Sequence, residues 1–257
     1  MKSTDSINGD FELLETALAR FGSIVTIDQF AQVFKGSRNY LRIRLSVICD
    51  KGWLFRIRKG LYIISDLATR GSLSISHYAV VNLLVENAYI SFESALQFHG
   101  LYDQLPGIVA SITTSRHKDK SIDGFNYTFL TTQPNYFYGW ETHVLDGITV
   151  KMASREKALV DLIQFHRNRY AVDLVLEKLT DLRVDWDIEL FTNLILRANV
   201  ATQRVMGFLF DLTRIDSTLL HNVLKNQRGT SCVTASKDNL YSSKWNLYYD
   251  PYFSKYA

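Results

Sequence analysis

Ser37-Arg38-Asn39-Tyr40-Leu41-Arg42-Ile43-Arg44-Leu45-Ser46-Val47-Ile48-Cys49-Asp50-Lys51-Gly52-Trp53-Leu54-Phe55-Arg56-Ile57-Arg58-Lys59-Gly60-Leu61-Tyr62-Ile63-Ile64 is the stretch that decides the fold. Its first half has the period of a helix, because Leu41, Leu45 and Ile48 recur at spacings of four and three and make one apolar stripe. Ser37 suits the N-cap, where a hydroxyl accepts an otherwise unpaired backbone N–H. Gly52 suits the position past the last turn, where the chain needs positive φ. Arg38, Asn39, Arg42 and Ser46 fall on the side away from the stripe. In the second half, Trp53, Phe55 and Ile57 alternate with Leu54, Arg56 and Arg58, which is the period of a strand. Lys59-Gly60 signals a short turn, and the β-branched and aromatic run 61–64 reads as the returning strand. A helix bearing outward Arg and Asn, followed by a ribbon with a basic tip, is the anatomy of a winged helix-turn-helix. Such a helix fits a DNA major groove and such a tip reaches phosphates or the neighbouring minor groove.

Charge points the same way. Residues 35–60 hold eight bases (Lys35, Arg38, Arg42, Arg44, Lys51, Arg56, Arg58, Lys59) against one acid, Asp50, for +7. The whole chain carries +3, so the remainder carries −4. A charge run alone is more often a solvated face. Together with a groove-sized helix and a ribbon it is the footprint of a nucleic-acid surface. The candidate contacts to double-stranded DNA are Ser37, Arg38, Asn39, Arg42, Arg44 and Ser46 on the helix, and Arg56, Arg58 and Lys59 on the ribbon.

Upstream, residues 10–21 carry Phe11, Leu14, Leu18 and Phe21 at helical spacing, closed by Gly22. Thr26-Ile27-Asp28-Gln29 is a capping box that opens a second helix with Phe30 and Val33 inward. Lys35-Gly36 turns the chain into the third. Residues 65–74 are polar and read as a linker, so 1–74 is expected as a DNA-binding domain and 75–257 as a second domain. The 257 residues are 47% hydrophobic and 21% charged, enough for a sizeable core. Cys49 and Cys232 stand alone, with no CxxC, which suits a reducing cytoplasm rather than a disulfide framework or a thiolate metal site. Met1-Lys2-Ser3-Thr4-Asp5 lacks the apolar core of a signal peptide, and no apolar run approaches the ~20 residues of a membrane helix.

The second domain opens with a helix capped near Ser76, followed by a short helix, 92–99, capped by Ser91. The segments 108–114, 124–132, 136–144 and 148–152 then alternate like strands, with Asp146-Gly147 a strong hairpin turn. Short sequential strands with tight turns favour an antiparallel sheet. Ser154 is expected to cap a helix carrying Ala158, Leu159, Leu162 and Ile163, with further helices at 171–182, 188–198, 201–213 and 217–225, followed by an aromatic tail. The fold class is therefore α+β: an N-terminal winged helix-turn-helix, then a mixed domain with an antiparallel sheet and a helical C-terminal part.

Three stretches resemble one family. Tyr89-Ile90-Ser91-Phe92-Glu93-Ser94-Ala95-Leu96-Gln97-Phe98-His99-Gly100-Leu101 is similar to the (Y/I)-S-x-E-S-A-L-x-x-H-G-L signature of AbiEi-type antitoxins. Ala153-Ser154-Arg155-Glu156-Lys157-Ala158-Leu159-Val160-Asp161-Leu162 resembles their A-S-x-E-K-A-L-x-D-L segment. Arg56-Ile57-Arg58-Lys59-Gly60-Leu61-Tyr62 resembles their wing, and the order of the three also matches. The resemblance implies the antitoxin half of a phage-defence (abortive-infection) toxin–antitoxin pair. It implies a winged helix that binds inverted repeats in its own promoter and represses the operon. It further implies a C-terminal domain that counteracts a nucleotidyltransferase-like toxin without a stable complex.

Enzyme chemistry finds little footing. His77, His99, His117, His143, His166 and His221 are scattered singly, with no HExxH, so neither a metal site nor a cofactor is expected. His99 reads as a packed, hydrogen-bonded histidine, and Ser94 lacks the G-x-S-x-G of a nucleophile elbow. Glu156 and Asp161 do not share a helix face. Asp161, inside an almost wholly apolar run, reads as a buried carboxylate held by hydrogen bonds. The expectation is a non-enzymatic antitoxin and autorepressor. A regulator with a ligand-sensing second domain, or a DNA-directed enzyme, remain as alternatives.

Overall fold

Leu41, Leu45 and Ile48 are all fully buried, and they build the first of two cores. The computed structural model describes residues 2–66, 71–104, 107–235 and 239–256. The chain begins with α1 (Lys2–Phe21), β1 (Ile24–Thr26), α2 (Ile27–Val33) and α3 (Arg38–Asp50), followed by β2 (Leu54–Arg58) and β3 (Leu61–Ile64). Ser37 caps α3 by accepting the Tyr40 N–H, and the Thr26–Gln29 capping box opens α2 with both of its hydrogen bonds made. Gly52 and Gly60 take the positive φ that the two turns require.

Helix α1 starts at Lys2 rather than at residue 10, and two further details differ from the sequence reading. The inward face of α1 is Leu13, Leu14 and Ala17, while Leu18 is exposed. The helix is rotated so that Asp10, on the same side, meets Arg44 and Lys51 of α3. The other difference is β1, three residues too short to show a period, which pairs antiparallel with β3 in a sheet of order β1-β3-β2.

Strand β2 serves both faces of this sheet by the ordinary alternation of its side chains, with a register shift between Arg56 and Arg58. Leu54, Tyr62 and Ile64 pack on the helices. Ile57 and Ile63, with Phe55 beside them, join the larger core of the rest of the chain. The passage 65–74 lies partly outside the described residues. At its two ends Ser65 Oγ donates to the Trp53 carbonyl and Ser74 Oγ to the Ile64 carbonyl.

The larger core forms around a six-stranded sheet. Its strands are β4 (Ala88–Ile90), β5 (Ile108–Thr113), β6 (Lys120–Ile122), β7 (Phe125–Thr131), β8 (Trp140–Leu145) and β9 (Ile148–Ala153), in the order β6-β7-β5-β4-β9-β8. Two helices are interleaved, α4 (His77–Leu84) and α5 (Phe92–Phe98). The sheet is mixed, not antiparallel: β5 runs parallel to β7, and β4 parallel to β9. The tight Asp123–Gly124 turn folds β6 onto the outer edge of β7. β7 then lies between β6 and β5 and runs the same way as β5, and the loop 114–119 must cross over the end of β7. Residues 136–139 are not strand. A 3-10 turn (Pro134–Tyr136) leads to Gly139, and β8 starts at Trp140.

The helical end follows the sequence reading closely: α6 (Arg155–Phe165), α7 (Arg169–Thr180), α8 (Ile188–Leu196), α9 (Val200–Leu212) and α10 (Thr218–Leu224). The aromatic tail folds back as a small sheet of β10 (Ser231–Cys232), β11 (Leu240–Ser242) and β12 (Leu247–Tyr249). Trp245, Leu247 and Phe253 are fully buried, and Trp245 lies so close to Gly207 that a Cβ there would sit 2.3 Å from its ring. Among the described residues no helix is long and apolar enough to cross a membrane.

Candidate nucleic-acid interface

Helix α3 uses its circumference in three sectors. One is the buried stripe. A second carries Arg38, Arg42 and Ser46 at spacings of four, facing the β2–β3 hairpin. There they join Arg56, Lys59, Gly60 and Tyr62 to line an open groove of about 930 Å³. The third sector, exposed to solvent, shows Asn39, Tyr40, Ile43 and Val47. Arg42 donates to the Asn39 side chain at 3.4 Å, so the first turns present a linked Arg–Asn pair beside the groove.

The groove is not purely basic. Asp28, in the first turn of α2, pairs with Arg38 at 2.6 Å, and both groups are well exposed. Asp50 and Cys49 also line it. Burial pushes the Cys49 thiol up to about 11, so it stays protonated at neutral pH. Arg38, Arg42, Arg56 and Lys59 line the groove together, with Asp28 already paired to Arg38.

Of the nine residues singled out from sequence, five line this groove: Arg38, Arg42, Ser46, Arg56 and Lys59. Ser37 and Asn39 are exposed and not among its lining residues, Ser37 with its hydroxyl engaged as the cap and Asn39 bonded to Arg42. Arg44 and Arg58 are directed elsewhere. Arg44 falls on the α1 side of the helix, only 22% exposed, with its Nε 2.7 Å from Asp10. Lys51 holds the other Asp10 oxygen at 2.9 Å. Partial burial opposes the charge on Asp10, but hydrogen bonds and positive charge from Arg44 and Lys51 hold its carboxyl below the usual range. Arg58, past the register shift, reaches Glu86 at 3.2 Å. Sequence reasoning missed Asp28 and Tyr62, whose place in the groove depends on how α2 and β3 pack against α3.

The two boxes in the second half of the chain meet inside the larger core. Asp161 is wholly buried. It accepts hydrogen bonds from Ser91 Oγ at 2.7 Å and Tyr89 OH at 3.1 Å, and it is ion-paired with Lys157 Nζ, one helical turn away and equally buried. Lys157 also donates to Tyr89 OH and lies 4.3 Å from the centre of the Tyr138 ring. Gly139 makes this possible, because a Cβ there would come within 2.8 Å of the Lys157 stem. Burial raises the Asp161 carboxyl and lowers the Lys157 ammonium relative to their ordinary ranges. Ser91, expected as the cap of α5, makes no capping bond; its hydroxyl is committed to Asp161. The next residue, Phe92, adopts positive φ. His99 donates its Nε2–H to the Ala153 carbonyl, 2.8 Å away, which ties α5 to the end of β9.

Scanned against protein-family models the chain matches none, and a search of curated proteins likewise finds no match. Among solved structures it resembles the crystal structure of the RV2827C protein from Mycobacterium tuberculosis, with a TM-score of 0.60 at 16% identity over 91% of this chain and 89% of that one. At that identity the likeness is one of fold.

Proposed function

We propose that α1–α3 and the β2–β3 hairpin are a winged helix-turn-helix that binds double-stranded DNA, and that the protein is an antitoxin and autorepressor of the AbiEi type. The observation that carries the DNA-binding reading is the groove itself: Arg38, Arg42, Arg56 and Lys59 converge from a helix and a hairpin onto one open concavity. In this reading α3 enters the major groove, the hairpin is the wing, and Asn39 and Arg42 are placed to read adenine and guanine edges. The exposed Ile43 suits the methyl group of thymine. The antitoxin part rests on the sequence boxes. It is supported by their meeting in one buried network, which explains why Ser91, Lys157 and Asp161 stand where the boxes put them. The DNA is the protein's own promoter with inverted repeats, the functional partner a nucleotidyltransferase-like toxin, and the compartment the cytoplasm.

The test is a paired assay on Arg38→Ala with Arg42→Ala. Both side chains lie outside the cores, so the variant folds. It is expected to lose promoter repression in a reporter, each lost base contact removing about 1–3 kcal/mol of discrimination. It should still rescue growth against the toxin when expressed from a foreign promoter. Loss of rescue in a folded, abundant variant would contradict a two-module antitoxin and favour a DNA-directed enzyme or an effector-sensing regulator.

A further inference from the structure

The sequence Ser115-Arg116-His117-Lys118-Asp119-Lys120 lies far from the winged helix in the chain but beside it in the fold. Strand β2 is the edge of its sheet, with carbonyls directed outward. Lys120, at the start of β6, closes that edge: its Nζ donates to the Arg56 carbonyl at 2.7 Å and to the Ile57 carbonyl at 2.5 Å. This is the usual protection of an exposed edge by a lysine, here supplied by the other sheet. Burial and the nearby Arg56 lower the Lys120 ammonium from its ordinary range.

The other end of the loop is fixed at the same place. Thr114 accepts from Asn87, one residue from the Glu86 that holds Arg58 of the hairpin. Between these anchors the loop crosses the end of β7. Thr131 donates to the Ser115 carbonyl, the His117 ring packs 5.8 Å from Phe129, and Asp119 takes the Phe129 N–H. The only acid of the loop is thus turned toward the backbone of β7, while Arg116 and Lys118 are exposed.

We propose that loop 114–119 is a second DNA-contact element, in which Arg116 and Lys118 meet backbone phosphates flanking the segment covered by α3 and the wing. The inference rests on the DNA-binding reading above and extends it to residues of the second half of the chain. Lys120 and the packing of Ile57 and Ile63 into the larger core hold the loop at a fixed distance from the wing. In this reading the basic surface continues from Arg42 and Arg56 across the hairpin edge to Arg116 and Lys118. Phosphate contacts of this kind position a protein and add affinity without reading sequence.

The experiment uses the full chain and DNA selected by it from a random pool. Binding is measured by fluorescence anisotropy over a salt series, on a duplex trimmed to the selected site and on one extended by about ten base pairs at each end. Arg116→Ala with Lys118→Ala is compared with Lys225→Ala with Arg228→Ala, two exposed bases beyond α9. On the extended duplex the loop variant is expected to bind roughly three- to tenfold more weakly at low salt, with a salt slope shallower by about two, while the trimmed duplex and the control variant show no change. Equal binding of wild type and loop variant to the extended duplex overturns the inference and leaves the winged-helix reading intact. Equal losses on both duplexes overturn the flanking placement. A wild-type protein that selects and binds no DNA overturns both.

Discussion

Replacing Asp161 by Ala removes the one acceptor that serves three buried donors at once: the Lys157 ammonium, Ser91 Oγ and Tyr89 OH. Removing one partner of a fully buried ion pair costs about 3–5 kcal/mol, because the remaining charge has no water to turn to. Two buried hydroxyls left without their acceptor add about 1 kcal/mol each. The expected loss is about 5–7 kcal/mol, a large share of the ~5–15 kcal/mol that holds a domain of this kind together. The same logic predicts the opposite for a concerted change. Lys157→Met with Asp161→Leu exchanges the pair for apolar groups of similar length, which in buried sites is neutral or stabilising by about 1–4 kcal/mol. The orphaned Ser91 and Tyr89 hydroxyls offset most of that gain, so the double variant should lie within about 2 kcal/mol of wild type. Urea unfolding of the wild type, both single variants and the double variant closes the cycle. An Asp161→Ala variant less than about 1 kcal/mol below wild type would refute the reasoning, since it would mean that water reaches the pair. A double variant as unstable as the sum of its singles would refute it equally.

Two further outcomes are expected. Asp28→Asn should tighten DNA binding several-fold at low salt, because it removes a carboxylate that repels phosphate and releases Arg38, and the gain should shrink as salt screens both effects; weaker binding by fluorescence anisotropy would put Arg38 outside the interface. The Asp10 carboxyl, held below its ordinary range, contributes stability that is present above the unfolded carboxylate value and is lost as pH falls through the folded one. Below about pH 4 wild type should therefore lose more stability than Asp10→Asn, and parallel acid-unfolding curves would show that the Arg44 and Lys51 bonds add nothing.

How much of this was written legibly in the sequence depended on the range of the interaction that decided each element. Ser37, Thr26 and Ser154 cap their helices as read, because a cap is settled within three residues. The Asp146–Gly147 turn joins β8 to β9 for the same reason: both residues carry positive φ, as a two-residue hairpin requires. The parallel pairing of β5 with β7 was not legible, since no local pattern records that β6 folds to the far side of its neighbour. Strands β1 and β4 have only three residues each and show no period. Ser91 makes the contrast sharpest. Locally it has every mark of an N-cap, yet its hydroxyl serves a carboxylate 70 residues away. A buried charge outweighs a capping bond of about 1 kcal/mol, and the residue after it is driven to positive φ.

The candidate site shows the same division within a single helix. Composition makes Arg38, Arg42 and Arg44 equivalent, and the eight bases of residues 35–60 would count alike toward a DNA surface. Their partners separate them. Asp10, which the sequence gives no reason to place near α3, takes Arg44 and Lys51 into the junction between α1 and α3. Glu86 takes Arg58 at the base of the second sheet. Arg38, Arg42, Arg56 and Lys59 line the groove, Arg38 with its partner Asp28 in the lining beside it. The sequence had no means of adding loop 114–119, because its neighbourhood to the hairpin is fixed by one lysine reaching two carbonyls more than sixty residues back. Net charge along a segment thus overstates the candidate interface where acids from other elements intervene and, on the proposal above, understates it where a distant loop is docked alongside. The salt dependence of DNA binding should follow the cations that the fold leaves facing the groove and its flank, not the eight that the segment contains.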